Sequence, residues 1–270
     1  MVRLLGYPAI TVLAFASVWW LAEAYHFSLR DPRFLDGWIL FAGMAAQLLF
    51  HIRRNTGTSR RSDDASSSQT HVVIGYVVIG AFAVHTSTTF PEALLEWALW
   101  TLFVLVVVSG IVGSYLMVAV PVKIEQHSTP VAFEAIAKRR FELAQQAEVL
   151  ATTAEDAESL HAIWQLYSTK LRRFFNGPKN LVAHLKGSKL PLKRLCHQIE
   201  TAELVSDELD RKTLQSLKGL VVEKNDLDFQ QAHLGLLRAW TFVHVPATYG
   251  LIVLTIIHIA IVYAFSSGVP

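Results

Sequence analysis

Two stretches decide the fold of this chain: HVVIGYVVIGAFAVH at residues 71–85 and HVPATYGLIVLTIIH at residues 244–258. Each begins and ends on histidine, so the two histidines of each stretch are 14 residues apart. On an α-helix, 14 steps bring a side chain back to within about 40° of its starting direction and advance it by about 21 Å. Each stretch is therefore predicted to be an apolar helix with two imidazoles on one face, near opposite edges of a bilayer.

The composition around these stretches is that of an integral membrane protein. Apolar residues make up 52% of the 270 residues and charged residues only 17%, and the apolar residues come in long blocks. A formal charge of +2 is too small to indicate nucleic-acid binding, and no nucleic-acid module is recognisable. The single cysteine, Cys196, excludes an internal disulfide, a cysteine-ligated iron–sulfur cluster and a covalent c-type haem site.

Five stretches are long and apolar enough to cross a hydrocarbon core, which needs about 20 helical residues. They are residues 4–25, 34–52, 71–90, 94–120 and 239–265. The first also fits a signal peptide, but its only basic residue is Arg3 and its apolar part contains Trp19 and Trp20. A retained helix is favoured on those grounds.

Loop charge predicts the orientation of these spans. The loops after the second and fourth spans are basic, whereas residues 86–96 contain no Lys or Arg. By the positive-inside rule, both basic loops and the N-terminus face the cytoplasm, which we expect to be that of a bacterium whose inner membrane holds the protein. The third and fifth spans then run parallel. His71 shares the cytoplasmic level with His244, and His85 shares the outer level with His258.

The predicted fold is all-α, a bundle of five transmembrane helices with a helical cytoplasmic insert between the fourth and fifth. Its parts are residues 1–120 with the first four spans, the cytoplasmic domain at 121–238 and the last span at 239–270. Apolar residues recur at helical spacing within the insert, and a helix from about Asp207 is expected to run on into the last span. Polar, serine-rich residues 56–70 predict a flexible loop.

The four histidines are candidate metal ligands, because an imidazole in the hydrocarbon region is costly unless both its nitrogens have partners. The alternative is that each one only joins helices by hydrogen bonds. Two ligands per level are too few for a structural zinc site. They suit a haem iron, which takes four further ligands from the porphyrin; saturated bis-histidine ligation favours electron transfer over oxygen binding.

Other residues are candidates for contacts with such a cofactor. Gly75 and Gly110 lack side chains and would leave room for a porphyrin edge beside the helix backbone. Glycine is also common in ordinary membrane-helix packing. Arg238 is placed by sequence to reach haem propionates at the cytoplasmic level, and a plain positive-inside anchor explains it equally well. His51, at the end of the second span, is the main competing ligand or quinone contact.

Two helices with histidines 14 residues apart resemble the dihaem cytochrome b arrangement, found in respiratory cytochrome b and in the transmembrane domain of ferric reductases and NADPH oxidases. The resemblance covers the membrane spans, roughly half the chain, and implies two non-covalent b haems held by His71, His244, His85 and His258. The sequence departs from the family in three ways: it has no sixth span, no GxGxxG motif for a flavin or nicotinamide domain, and a helical insert of more than a hundred residues.

The resemblance implies a membrane cytochrome b subunit that passes electrons to or from quinone or partner proteins, rather than a complete enzyme. We expect membrane lipid around it, no nucleic acid, and partner subunits or a second copy of the chain. The alternative function is a haem-free membrane scaffold or sensor whose helical domain binds a partner. A proton or metal-ion transporter is disfavoured, because Glu96 is the only acidic residue recognised near the histidine-bearing spans.

Overall fold

The computed structural model describes residues 12–13, 16–17, 19–20, 23–24, 32–55, 63–86, 90–152, 163–204 and 206–266. Within these residues every regular element is a helix, which confirms the all-α prediction. The helices of the first half are α1 (Pro32–Asn55), α2 (Asp63–His85), α3 (Leu94–His127) and α4 (Phe133–Thr152). A π-helical turn (Tyr167–Leu171) then leads into α5 (Arg172–Phe175), α6 (Leu181–Leu185), α7 (Leu190–Glu203) and α8 (Glu208–Ser266).

Two of these helices, α3 and α8, are long and apolar enough to cross a membrane. Shorter apolar stretches occupy Leu35–Leu49 of α1 and Gln69–His85 of α2. The predicted first span, residues 4–25, lies largely outside the described residues.

The chain divides into two compact units. Unit 1 comprises Met1–Ser114 and Phe242–Pro270, and unit 2 is the intervening Tyr115–Thr241. Because α3 and α8 each run from one unit into the other, the chain enters and leaves unit 2 through a helix.

Unit 1 is built on a close contact between α1 and α2. A Cβ on Gly43 of α1 would lie only 2.6 Å from Cγ2 of Val78 on α2, so glycine is what permits this approach. Beside it, the Phe82 and Phe103 rings stack with centroids 3.8 Å apart, which joins α2 to α3. The buried apolar residues of the cluster come from all four helices of the unit: Leu40, Met44, Val78, Ala81, Phe103 and Leu251.

At three places the extent of a helix can be compared with what the local sequence predicts. Residues 63–70, predicted to be loop, form the first turns of α2, because extending an existing helix gains a hydrogen bond per residue without a new nucleation cost. Helix α3 continues through Pro121 to His127, although the proline removes one helix hydrogen bond. The predicted helix from about Asp207 into the last span is confirmed, since α8 is continuous over 59 residues.

Unit 2 is held together by an apolar core that helices α4, α5, α7 and α8 share. Leu143 of α4, Ile199 of α7 and Leu217 and Val221 of α8 are all fully buried in it. The chain turns at Gly177 and Gly187, with φ of 84° and 70°, values that favour glycine.

A buried ion pair lies beside this core. Lys224 donates from Nζ to Oδ2 of Asp228 over 2.5 Å, and the same ammonium stands 4.0 Å from the centre of the Phe174 ring. Neither Lys224 nor Asp228 is exposed. Burial lowers the pKa of Lys224 to about 8, against the attraction of Asp228, and burial also raises the pKa of Asp228.

The side chain of Gln230 forms hydrogen bonds with the loop between α3 and α4. Gln230 of α8, buried to 1% exposure, accepts from the backbone N–H of Val131 and donates to Oγ of Ser128 and to the carbonyl of Thr129. These bonds satisfy a buried amide and tie the entry of α4 to α8.

Candidate functional site

The four predicted histidines lie on the two expected helices of unit 1. His71 and His85 belong to α2, of which His85 is the last residue, and His244 and His258 belong to α8. All four rings are partly buried. The structure therefore describes each candidate ligand and several of its neighbours.

His85 is oriented by a carboxylate from another helix. Its Nδ1 lies 2.8 Å from Oδ1 of Asp36 in α1, and Asp36 is only 5% exposed. A Cβ on the adjacent Gly37 would stand 3.1 Å from Cε1 of the ring, so the missing side chain leaves room for the imidazole. This contact joins the end of α2 to α1 through Nδ1 of the ring.

His244 is oriented in a similar way by a hydroxyl. Its Nδ1 lies 2.8 Å from Oγ of Ser109 in α3, and that hydroxyl also donates to the carbonyl of Val106 over 3.0 Å. Since the single hydroxyl proton goes to the carbonyl, Ser109 accepts from Nδ1–H of His244. Gly110 faces the same ring, with its added Cβ at 3.5 Å from Cε1.

Both contacts engage the same ring nitrogen, Nδ1. A neutral imidazole with its proton on Nδ1 keeps its lone pair on Nε2, the atom that would coordinate a metal. Metal-bound histidines nearly always donate their other ring N–H to a carboxylate, carbonyl or water in this manner. Asp36 and Ser109 thus orient the rings of His85 and His244 through Nδ1.

The structure also brings together two members of the predicted outer level. His258 lies close enough to His85 and to Glu96 of α3 for their charges to act on its ring. At the other end of α2, the backbone carbonyl of His71 accepts a 3.3 Å hydrogen bond from Nε2 of Gln47 in α1. That bond anchors the start of the apolar run of α2 to α1.

Two predicted cofactor contacts have other neighbours. Gly75 faces α1, because a Cβ there would meet Nε2 of Gln47 at 3.1 Å. Arg238 lies in unit 2, where its guanidinium pairs with Glu134 and stands 3.7 Å from the centre of the Phe133 ring. His51 belongs to α1, but its side chain lies outside the described part of the chain.

A second group of histidines surrounds one aromatic ring in unit 2. The rings of His127, His184 and His233 lie 4.0, 6.0 and 4.2 Å from the ring of Phe229, centre to centre. Burial, together with the nearby His127 and His233, lowers the pKa of His184 to about 4. Spacing in the sequence gives no sign of this cluster, because its members come from α3, α6 and α8.

Within the described residues, no group of three or more His, Cys, Asp or Glu side chains is arranged to hold a metal ion. A bis-histidine haem needs only two such side chains, so this finding concerns other kinds of metal site. No protein-family model, curated protein or solved structure in our comparisons matches the chain.

Sequence reasoning missed Asp36 and Ser109. Asp36 stands at the outer end of the predicted second span, residues 34–52, and nothing in its spacing points to His85; in the structure α1 begins at Pro32 and Asp36 is buried. A lone carboxylate on the apolar face of a predicted span was the available signal. Ser109 carries no such signal, since serine is frequent in membrane helices.

Proposed function

We propose that the protein is a membrane cytochrome b that transfers electrons across a bilayer through two non-covalent b haems. In this proposal His71 and His244 hold one haem, and His85 and His258 hold the other. The observation that carries it is the shared orientation of His85 and His244, each with Nδ1 bound to a side chain of a neighbouring helix.

The donor set fits a b-type haem. Two neutral imidazoles would hold the iron of each haem, and no thiolate or methionine is needed. The position of His258 within electrostatic range of His85 is consistent with their assignment to the same level. When bound, each haem would supply a one-electron carrier whose iron alternates between ferrous and ferric states.

The chain's own residues would hold and tune this carrier. Asp36 fixes the ring plane of His85 and places a negative charge beside it, which favours the more positive form of whatever His85 binds. Ser109 fixes His244 with a neutral hydroxyl. The cluster around Leu40, Phe103 and Leu251 excludes water from the middle of the unit.

The membrane placement that we propose has five spans, with residues 4–25 as the first and α1, α2, α3 and the second half of α8 as the others. The cytoplasmic side would hold unit 2, and a bacterial inner membrane would hold the spans. Electron donor and acceptor would be quinone or partner proteins, because unit 2 presents no nucleotide-binding motif.

Substitution of single histidines tests the proposal. In protein purified from cells supplied with haem, His85→Leu or His258→Leu should remove about half of the reduced-minus-oxidised α-band in the b-type region. His71→Leu or His244→Leu should remove the other half, with different spectral and potentiometric properties. His197→Leu is the matched control, because His197 is exposed on α7, and it should leave both components intact.

Two results would contradict the assignment. Wild-type protein without any α-band has no haem, and equal loss of both components from every histidine variant would refute the two-level pairing. Reconstitution of the purified chain with haem before measurement ensures that a colourless sample reflects the protein and not its supply.

The alternative is a haem-free membrane scaffold or sensor, and one observation favours it. The part-buried contact of His85 with Asp36 joins α2 to α1 without any cofactor, as a structural role of the histidine requires. A colourless protein with a partner captured by unit 2 would establish this function instead.

A further inference from the structure

The most unbalanced charge in the chain lies in residues 170–194, which we call the basic segment. It contains eight of the 24 Lys and Arg residues, and no Asp or Glu occurs between Glu158 and Glu200. Seven of the eight are exposed, and no ion pair to any of the eight is found within the described residues. The exposed ones are Lys170, Arg172, Arg173, Lys186, Lys189, Lys193 and Arg194.

Exposed aliphatic side chains stand among these cations. Val182 and Leu185 of α6 are 65% and 40% exposed, and Leu190 at the start of α7 is 61% exposed. These three residues lie within nine residues of one another, and Lys186 and Lys189 lie between them. The chain turns within this stretch at Gly187. Basic and aliphatic side chains in this combination are typical of surfaces that rest on a membrane, where lysines reach phosphates and aliphatics enter the headgroup boundary.

The segment is also anchored near the predicted membrane edge of α8. His184 of α6 packs with its ring 6.0 Å from that of Phe229, and Lys179 donates its backbone N–H to Asp228. Phe229 precedes Ala239, where the apolar run begins, by ten residues, or about 15 Å of helix.

Because α3 and α8 carry the chain into and out of unit 2, a bilayer that holds these helices presents its surface to the segment at high effective concentration. Nucleic acid is the less suitable polyanion. The aromatic residues of the segment, Phe174 and Phe175, are buried in the core and offer no stacking surface to bases.

We propose that the basic segment docks unit 2 on the anionic phospholipids of the membrane in which the chain is embedded. Lys186, Lys189 and Lys193 contact lipid phosphates, and Val182, Leu185 and Leu190 enter the boundary between headgroups and acyl chains. This inference rests on the membrane placement in the proposed function and not on the haems.

Lysine acetylation of the full chain in nanodiscs tests the docking. In discs with about one-third phosphatidylglycerol, Lys186, Lys189 and Lys193 should react more slowly than in phosphatidylcholine discs, and high salt should abolish the difference. Lys138 and Lys212, exposed elsewhere in unit 2, are internal controls whose rates should not change.

Charge variants measure the contribution of single lysines. Each basic residue near an anionic surface contributes about fivefold to binding, so Lys186→Gln/Lys189→Gln should lower the docked-to-undocked ratio about 25-fold and restore the reactivity of Lys193. The matched Lys138→Gln/Lys212→Gln variant should leave Lys193 protected.

Three outcomes would overturn the docking: equal lysine reactivity in both kinds of disc, equal protection of Lys138 and Lys212, or protection by a soluble oligonucleotide in neutral discs but not by phosphatidylglycerol. The α-band of the same samples distinguishes failure of the docking proposal from failure of the haem proposal. Lost protection with an intact α-band refutes the docking alone, and protection in colourless discs refutes the haems alone. A chain that does not enter discs refutes the membrane placement and the docking with it.

Discussion

At the scale of single residues, His184 is a buried histidine of unit 2. Its side chain is buried at 7% exposure, and its Nε2 has no hydrogen-bond partner within the described residues. A protonated ring there would face Lys224 as well as His127 and His233, all of which oppose a further positive charge. The folded protein therefore keeps His184 neutral well below the pH at which an exposed histidine is protonated.

This predicts a loss of stability in mild acid. Burial holds the pKa of His184 at about 4 in the folded state, against an ordinary value of 6.5 for histidine, so between these pH values only the unfolded chain takes up the proton. The contribution of His184 to the free energy of unfolding is therefore highest above pH 6.5. It falls by up to about 3 kcal/mol as the pH decreases towards 4. Thermal unfolding of the detergent-solubilised protein, followed between pH 7.5 and 4.5, measures it.

Two variants show whether His184 is responsible. His184→Leu should flatten the dependence of the unfolding temperature on pH in this window, whereas exposed His197→Gln should leave it unchanged. If His184→Leu keeps the wild-type dependence, other groups cause it.

Residue types and spacing predicted the four candidate ligands but not what orients them. The 14-residue repeat follows from helix geometry alone, so His71, His85, His244 and His258 could be singled out from the sequence. The partners of His85 and His244 depend on which helices pack together, and that is decided by contacts such as Gly43 with Val78. No spacing along the chain encodes the distance between Asp36 and His85, which are 49 residues apart.

At the scale of helices, the α1–α2 contact is the one least tolerant of added volume. Val78 has a β-branched side chain with restricted rotamers, so it cannot turn aside easily when a methyl group is placed at Gly43. Helix α8 contains a contrasting position, Gly219, where a Cβ would meet no atom within 4 Å.

These positions predict opposite effects for the same substitution. Gly43→Ala should destabilise the protein by about 1–3 kcal/mol through overpacking, whereas Gly219→Ala should stabilise it by about 0.5–1 kcal/mol through helix propensity. Unfolding by SDS titration from mild detergent measures both changes.

A double variant checks the stated cause. Gly43→Ala/Val78→Ala should be less destabilised than the sum of its single changes, because the second substitution removes the clashing methyl group. Additive effects would mean that the two side chains do not meet.

The helices that the sequence predicts well are those with periodic apolar residues. Periodic apolar runs predicted α4, α7 and the continuous α8, because burial of one face stabilises these helices. The start of α2 at Asp63 and the passage of α3 through Pro121 were not predicted. Both depend on cooperative extension of a helix that is already formed, and local composition does not report it.

At the scale of the whole molecule, the proposed five spans place unit 2 and residues 90–96 on opposite sides of the membrane. Cys196 is the only cysteine and is partly buried, and burial raises the pKa of its thiol, so it is a slow target for maleimides. Replacing it by serine gives a background for single labelling sites.

We expect Glu208→Cys, at the start of α8, to react with a membrane-impermeant maleimide only in inverted vesicles. Glu92→Cys, before α3, should react only in intact cells from which the outer barrier has been removed. Both native side chains are exposed, so access depends on the side of the membrane alone. Labelling of both positions from one side would refute the orientation.

Unit 1 is assembled from both ends of the chain, and this has a consequence for biosynthesis. The ribosome completes α1, α2 and all of unit 2 before it makes residues 242–266, which carry His244 and His258. Unit 2 can therefore fold while the earlier helices still lack their last neighbour. In the proposed cytochrome, His244 and His258 would each supply one of the two histidines that hold a haem, so a chain stopped before these late residues would lack half of the proposed ligands.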